Sequence, residues 1–220
     1  MPAANHPELD WRDDTIPVSR RFDDPYFSLG GGLAETRHVF LAGNRLPARF
    51  RDGFQIAELG FGTGLNLLAT VLAHQGDDHL RFTSFEAFPL PATDIARALQ
   101  AFPETAPVAE GFLTQWSSGA RTLHFPNLTA EILIGDARET LPHWQGRADA
   151  WFLDGFSPAK NPELWSPDLM EEVARHTAPS GTFATYTAAG HVRQSLGAAG
   201  FTVTRQPGFG RKRHMTTGQL

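Results

Sequence analysis

Residues 54–68 read FQIAELGFGTGLNLL, and this stretch decides the fold. Phe54 to Leu59 is a short run of β character that ends at a glycine-rich turn. From Thr63 to Ala73 the apolar residues Leu65, Leu68, Ala69, Leu72 and Ala73 then share one helical face. The glycines Gly60, Gly62 and Gly64 are spaced Gly-x-Gly-x-Gly. That is not the Gly-x-Gly-x-x-Gly of dinucleotide folds, and no Gly-Lys-Ser/Thr follows to make a P-loop. Glycine allows positive φ and a close approach of backbone to ligand, so the turn reads as a ligand cradle or as a plain tight turn.

The same alternation continues outward. Leu80 to Phe85 alternates like a strand, and a helix after Pro91 carries Ile95, Ala98, Leu99 and Phe102. A short helix is expected over Val108 to Trp116, and two strands, Arg121 to Phe125 and Thr129 to Ile134, join at 126–128. Asp136 is placed to cap a short helix running to Trp144, and Ala148 to Leu153 is a buried-looking strand. Ser166-Pro167 carries the N-cap and first-turn proline of another helix. Gly181 to Tyr186, Ala189 to Ala199 and Phe201 to Thr204 read strand, helix, strand, and the tail returns as a last strand. Upstream, residues 1–32 are a polar extension with a small hairpin, followed by a helical pattern from Leu33 to about Ala42 that stops at Gly43-Asn44. Alternating strands and helices predict an α/β fold: a mostly parallel seven-stranded sheet with an antiparallel edge strand. Residues 1–50 are expected as an extension packed on a core of residues 51–220.

Composition narrows the chemistry. The 220 residues include no cysteine, which excludes disulfides, Cys-ligated zinc, iron–sulfur clusters and thiol nucleophiles. The histidines and acids show no metal-ligand spacing, and no Gly-x-Ser-x-Gly elbow surrounds a serine, so no metal is expected. No secretory signal and no run of about 20 apolar residues is present, so the expected location is the cytoplasm and no membrane is involved. A net charge of −5 weighs against a nucleic-acid partner on average, yet Arg205, Arg211, Lys212, Arg213 and His214 cluster near the C-terminus.

Three strand ends carry candidate ligand-binding groups. Glu86 stands 26 residues after Gly60 at the end of the next strand, where a carboxylate accepts both hydroxyls of a ribose or is simply a surface glutamate. Asp136, in Ile134-Gly135-Asp136-Ala137, reads as a partner for an adenine amine, as a helix cap, or as both. Together with the glycines these favour a nucleoside cofactor in the crevice at the carboxyl edge of the sheet. The fourth element is Leu153-Asp154-Gly155-Phe156-Ser157-Pro158-Ala159-Lys160-Asn161-Pro162. An acid, a glycine, an aromatic and a proline there suit methylation of an amine. The carboxylate would accept the N–H bonds of the acceptor and aim its lone pair, with Phe156 shielding or stacking on a base. In-line methyl transfer depends on positioning and needs no nucleophilic side chain. Against this stands an Asx turn in a proline-stiffened loop. Lys160 meets a phosphate or is merely solvated.

The stretches ELGFGTGLNLL (58–68), FEAFPL (85–90), WFLDGFSPAKNP (151–162) and GFGRKRHM (208–215) resemble the methyltransferase domain of the MnmC family. These are the bifunctional bacterial tRNA 5-methylaminomethyl-2-thiouridine biosynthesis enzymes, with stand-alone relatives called MnmD. Residues 22–50, with Tyr26-Phe27-Ser28, Glu35-Thr36-Arg37 and Gly43-Asn44-Leu46-Pro47, match as well, so the resemblance covers nearly the whole chain. It implies a class I, Rossmann-like methyltransferase fold and S-adenosylmethionine as cofactor. The implied reaction is N-methylation of the 5-aminomethyl group of (2-thio)uridine at tRNA wobble position 34. The cofactor set it implies is Glu58, Gly60, Phe61, Gly62, Gly64, Asn66, Glu86, Ala87, Asp136, Ala137 and Asp154. Asp154 is also the catalytic candidate; Phe156, Pro158, Lys160, Arg211 and Lys212 are the substrate-side candidates, and Tyr26 and Arg37 are expected to help cover the cofactor. Family members carry a second, FAD-dependent oxidoreductase domain. The 220 residues match only the first domain, so the chain is expected to be either a stand-alone enzyme or part of a longer one, and in either case another activity supplies the aminomethyl precursor. Two other readings remain: a methyltransferase of a small-molecule or protein amine, and a non-catalytic nucleoside-binding module.

Overall fold

The computed structural model describes residues 7–220, so the first six residues of the extension lie outside the described part. The extension opens with β1 (Leu9–Arg12), β2 (Ile16–Ser19) and β3 (Asp24–Pro25), which form a small antiparallel sheet. Asp13 and Asp14, at φ 46° and 58°, lie in the three-residue β1–β2 turn 13–15 and take the left-handed conformation common in short hairpin loops. The sheet is tied down by Arg97, whose guanidinium lies 4.0 Å from the centroid of the Trp11 ring and donates to Asp14 O at 2.6 Å.

α1 (Gly32–Thr36) follows and passes into one wider π-type turn, Arg37–Leu41, and a 3₁₀ turn, Ala42–Asn44. The stop at Gly43-Asn44 is where the sequence places it, and Asn44 is fully buried there. Its side chain donates to Phe40 O at 3.0 Å and Trp151 O at 3.1 Å and accepts from Thr182 at 2.6 Å. Every polar atom of this buried amide is thereby used, and the segment before residue 51 is fastened to the main sheet.

The core elements are β4 (Gln55–Leu59), α2 (Leu65–Ala73), β5 (Leu80–Glu86), α3 (Ala92–Leu99), α4 (Ala106–Ser117), β6 (Thr122–Phe125), β7 (Leu128–Ile134), α5 (Ala137–Thr140), β8 (Ala148–Leu153), α6 (Pro167–Arg175), β9 (Thr177–Thr185), α7 (Gly190–Ala198), β10 (Thr202–Pro207) and β11 (His214–Gln219). The main sheet runs β10-β11-β9-β8-β4-β5-β7-β6. Pairings β7–β5, β5–β4, β4–β8 and β8–β9 are parallel; β6 and β11 run against their neighbours. The sheet is mostly parallel, as expected, but has eight strands. β6 is added at one margin because the short 126–127 link returns it directly on β7. β11 is inserted between β9 and β10, so the antiparallel strand lies one position in from the other margin.

Side-chain alternation along the strands feeds two cores. On β8, Ala150 and Phe152 join a core with Phe40, Ile56, Leu67, Phe82 and Phe112, while Trp151 and Leu153 join one with Leu59, Trp165, Met170, Phe183 and Leu196. Burial on both faces explains why β4 and β8 read as near-continuous apolar runs. The exception is Glu58, which is fully buried. Among the described residues no helix is long and apolar enough to cross a membrane.

Candidate active site

The carboxyl ends of β4, β5, β7 and β8 open into a cleft of about 1010 Å³, at the upper end of the size range for small-molecule sites. Of the cofactor set expected from the sequence, Gly60, Phe61, Gly62, Asn66, Glu86, Ala87, Asp136, Ala137 and Asp154 line it, and Glu58 and Gly64 do not. On the substrate side Phe156, Lys160, Arg211 and Lys212 line it, and Pro158 does not. The extension supplies another wall, including Arg21, Phe22, Asp24, Tyr26, Glu35 and Thr36, whereas Arg37 is exposed away from it.

The glycine turn is held by backbone. Gly60 N donates to Phe85 O at 2.9 Å, and Gly60 sits at φ 86°, where a Cβ would come within 3.2 Å of Gly155 Cα. Gly64, at φ 76°, is a packing glycine, because a Cβ there would lie 2.9 Å from Phe112. The turn thus brings β4 against the loop after β8 and leaves peptide groups facing the cleft, a cradle only glycine permits.

Glu86 ends β5 and accepts from Gly62 N at 2.9 Å and Phe88 N at 2.7 Å. Burial raises its pKa, against the pull of the backbone N–H groups of Gly62, Phe88 and Phe61. Each oxygen keeps a lone pair beyond the one used, so the group retains capacity for ribose-type hydroxyls. Asp136 is both cap and lining: Oδ1 accepts from Arg138 N at 2.9 Å, and the Arg138 guanidinium approaches Oδ2 at 2.6 Å. The Arg138 hydrogen bond holds the Asp136 pKa below the ordinary carboxylate value.

Asp154 lies at the junction of this half with the wall built by the extension. Oδ1 accepts from Gly155 N and Oδ2 from Asn66 Nδ2, both at 2.8 Å. The Asn66 amide also donates to Glu58 Oε1 at 2.8 Å, and Thr36 Oγ1 donates to Asn66 Oδ1 at 2.8 Å. Thr36 therefore fixes which end of the amide faces the acids, and one side chain clamps two carboxyl groups. Glu58 also accepts from Ser84 at 2.6 Å. Burial pushes Glu58 well above the ordinary carboxyl range, and a buried, hydrogen-bonded group behind the clamp is what it is in this fold. Burial likewise raises Asp154, to about 6, with Glu35 adding to the rise and Lys212 opposing it.

Beyond Asp154 the wall is aromatic. Phe156 is stacked on Phe22 at 4.7 Å between centroids and meets Tyr26 edge-on at 5.0 Å. It is packed rather than presented as a free platform. Tyr26 also covers Gly62, and burial raises its hydroxyl pKa. Ser157 N donates to Asp24 at 2.8 Å, and Lys160 pairs with Asp23 at 2.8 Å, so the proline-rich loop is pinned to the extension. Lys212 turns inward onto Glu35 at 2.8 Å. Glu35, Thr36, Phe22 and Tyr186 were not singled out from the sequence. The one available signal is that Phe22, Glu35 and Thr36 fall inside the matching 22–50 segment.

A strand-end cleft with a glycine cradle, a ribose-competent acid and a raised carboxyl defines a nucleoside-cofactor enzyme. The chain belongs to the S-adenosyl-L-methionine-dependent methyltransferase family, whose model matches residues 103–220, and S-adenosylmethionine is its cofactor. It is 50% identical, over 99% of its length and 36% of the relative's, to the tRNA 5-methylaminomethyl-2-thiouridine biosynthesis bifunctional protein MnmC of Pseudomonas aeruginosa. The MnmC of Chromohalobacter salexigens is 45% identical over 100% of this chain and 34% of that protein. The chain thus spans about a third of the length of the curated relatives it matches. Among solved structures, MNMC2 from Aquifex aeolicus superposes with a TM-score of 0.80 at 28% identity, covering 100% of this chain and 72% of that one. The expected Rossmann-like methyltransferase fold is the fold observed.

Proposed function

We propose that this chain methylates the nitrogen of a 5-aminomethyl group on (2-thio)uridine at tRNA wobble position 34, giving 5-methylaminomethyl-(2-thio)uridine. The observation that carries the reading is Asp154, a clamped, buried carboxyl at about 6 placed where the cofactor half meets a wall rich in carboxylates and aromatic rings. The names of the relatives supply the tRNA.

The residues fit the cofactor. Gly60, Phe61 and Gly62 would cradle it, Glu86 with Ala87 would hold the ribose, and Asp136 with Ala137 would border the adenine. Asn66, Glu58 and Gly64 act from behind by fixing Asp154 and the turn. When bound, S-adenosylmethionine supplies an electrophilic methyl carbon. Asp154 accepts an N–H of the acceptor, aims the lone pair and takes the proton that must leave. An alkylammonium near the lysine value of about 10.4 lies roughly 4 units above Asp154, a cost of about 6 kcal/mol; an ordinary aspartate would make that cost about 9. The raised pKa therefore brings the proton transfer nearer to balance without losing the carboxylate at neutral pH.

The extension, residues 1–50, serves as the cover of the cleft on the core of residues 51–220. Phe156 borders the base pocket, Pro158 stiffens its loop from outside the cleft, and Arg211, with Arg21 also in the lining, meets phosphates. Lys160 contributes through the Asp23 pair that holds its loop. A linked or separate FAD-dependent oxidoreductase supplies the aminomethyl precursor, and the setting is cytoplasmic. The net charge of −5 favours the second reading, a small-molecule or protein amine acceptor.

Methyl transfer from labelled S-adenosylmethionine to tRNA bearing 5-aminomethyluridine at position 34, with unmodified uridine as control, tests the proposal. Label on the first tRNA alone supports it. Label on a small amine or protein but on neither tRNA transfers the function to the second reading.

A further inference from the structure

Lys212 lies in the turn 208–213 that joins β10 to β11. The turn is tight: Lys212 N donates to Phe209 O at 3.0 Å and Gly208 N to Arg213 O at 3.2 Å. From there the side chain, 43% exposed along its length, reaches back to the rim of the cleft, which Arg211 also lines. Its ammonium enters the cleft, lies 2.8 Å from Glu35 Oε1 and stands 4.2 Å from the centroid of the Tyr186 ring. Glu35 is a side chain only 10% exposed, and Lys212 is the one cation within ion-pair distance of it among the described residues. The Tyr186 ring is fixed in turn, because its hydroxyl donates to Gly155 O at 2.8 Å, next to Asp154.

A buried carboxylate beside an aromatic face is a receptor for an ammonium ion. The side chain that fills it ends in –CH₂–NH₃⁺, which is also how an aminomethyl substituent ends. We infer that Glu35 and Tyr186 form the recognition site for the acceptor's ammonium, and that Lys212 occupies this site as an internal surrogate until the acceptor displaces it. The inference rests on the reading of the acceptor as a primary amine.

Two consequences follow from charge. Leaving Glu35 buried and unpaired is costly, so Lys212 leaves only when another cation takes its place, and a neutral substituent cannot open the site. The displaced Lys212 lies beside Arg211 and Arg213, where a phosphodiester backbone can receive it. An amine carried on a nucleic acid therefore gains on both sides of the exchange, whereas a free amine gains on one only.

The test uses ethylammonium chloride as probe, with sodium chloride at equal ionic strength as control. The chain has two tyrosines, so ring labelling gives resolvable signals from Tyr26 and Tyr186. Lys212→Met should bind ethylammonium at least about tenfold more tightly than the unaltered protein, with the shift on Tyr186. Adding Glu35→Gln to that variant should abolish the gain. No gain in Lys212→Met, or a gain that survives Glu35→Gln, overturns the inference. Lys212→Gln replaces the methionine variant if the latter does not fold, with the same expected gain. Ethylammonium binding without methylation of tRNA would keep this site and remove the tRNA reading. Methylation of tRNA by a protein whose Lys212 variants bind ethylammonium no better would do the reverse.

Discussion

The two halves of the cleft are built by different means. The cofactor half is made of strand ends and peptide groups: Gly60 and Gly62 at positive φ, and Glu86 held by two backbone N–H groups. The acceptor half is made of side chains from distant segments: Asp154 on Asn66, Phe156 on Phe22, Lys212 on Glu35. Backbone fixes a shape that many enzymes share, and on the proposed function the side chains would fix the acceptor. Asp154 belongs to both, because its loop touches the Gly60 turn while its carboxyl faces the second wall.

If the halves are separable, their variants should fail in different ways. Asp154→Asn should lower kcat by at least about 100-fold, the scale of a positioned proton acceptor, while the Kd for S-adenosylmethionine stays within about threefold. Calorimetry and single-turnover kinetics check this, and a parallel loss of both would break the division. Gly60→Ala should do the opposite. A Cβ at φ 86° against Gly155 costs about 1–3 kcal/mol, so cofactor affinity should fall about 10- to 100-fold, with kcat at saturation little changed. Asn66→Ala is the smallest of the three and sharpens the junction. It removes a donor from both Glu58 and Asp154, so the inflection of Asp154 should move above 6 and kcat/KM at neutral pH should fall about tenfold. An unmoved inflection would show that the clamp does not tune the acid.

The cofactor half was the readable one for a physical reason. Its determinants are local: a strand, three glycines, a helix, and an acid at the next strand end. Glu86, Asp136 and Asp154 were placed correctly at strand ends because period-two runs show where a strand stops. Local pattern does not reveal depth, so Glu58 read as cofactor contact although it lies one layer behind, and Gly64 although it serves Phe112. The acceptor half depends on what residues 22–36 meet more than a hundred positions later, as with Asp24 and Ser157. Nothing in the GFGRKRHM stretch distinguishes Lys212, which pairs with Glu35, from Arg211, which lines the cleft without that partner. Both strands of the β6–β7 hairpin are legible in the sequence; what local pattern does not show is that β6 joins the main sheet as an eighth strand.

The folded pKa of Asp154 also lies above the ordinary 3.8, which sets its effect on stability. The ionised form opposes folding, by up to about 3 kcal/mol, a penalty complete above pH 6 and gone below about pH 4. Stability is thus given up in the pH range where the proposed mechanism would use the carboxylate.

The most direct test of that junction is kcat/KM for 5-aminomethyluridine tRNA between about pH 5 and 8, in the unaltered protein and in Asp154→Asn. The account predicts a rise through an inflection near 6 in the first, as Asp154 loses its proton, and no such inflection in the second. An inflection near 6 that persists in Asp154→Asn would contradict it.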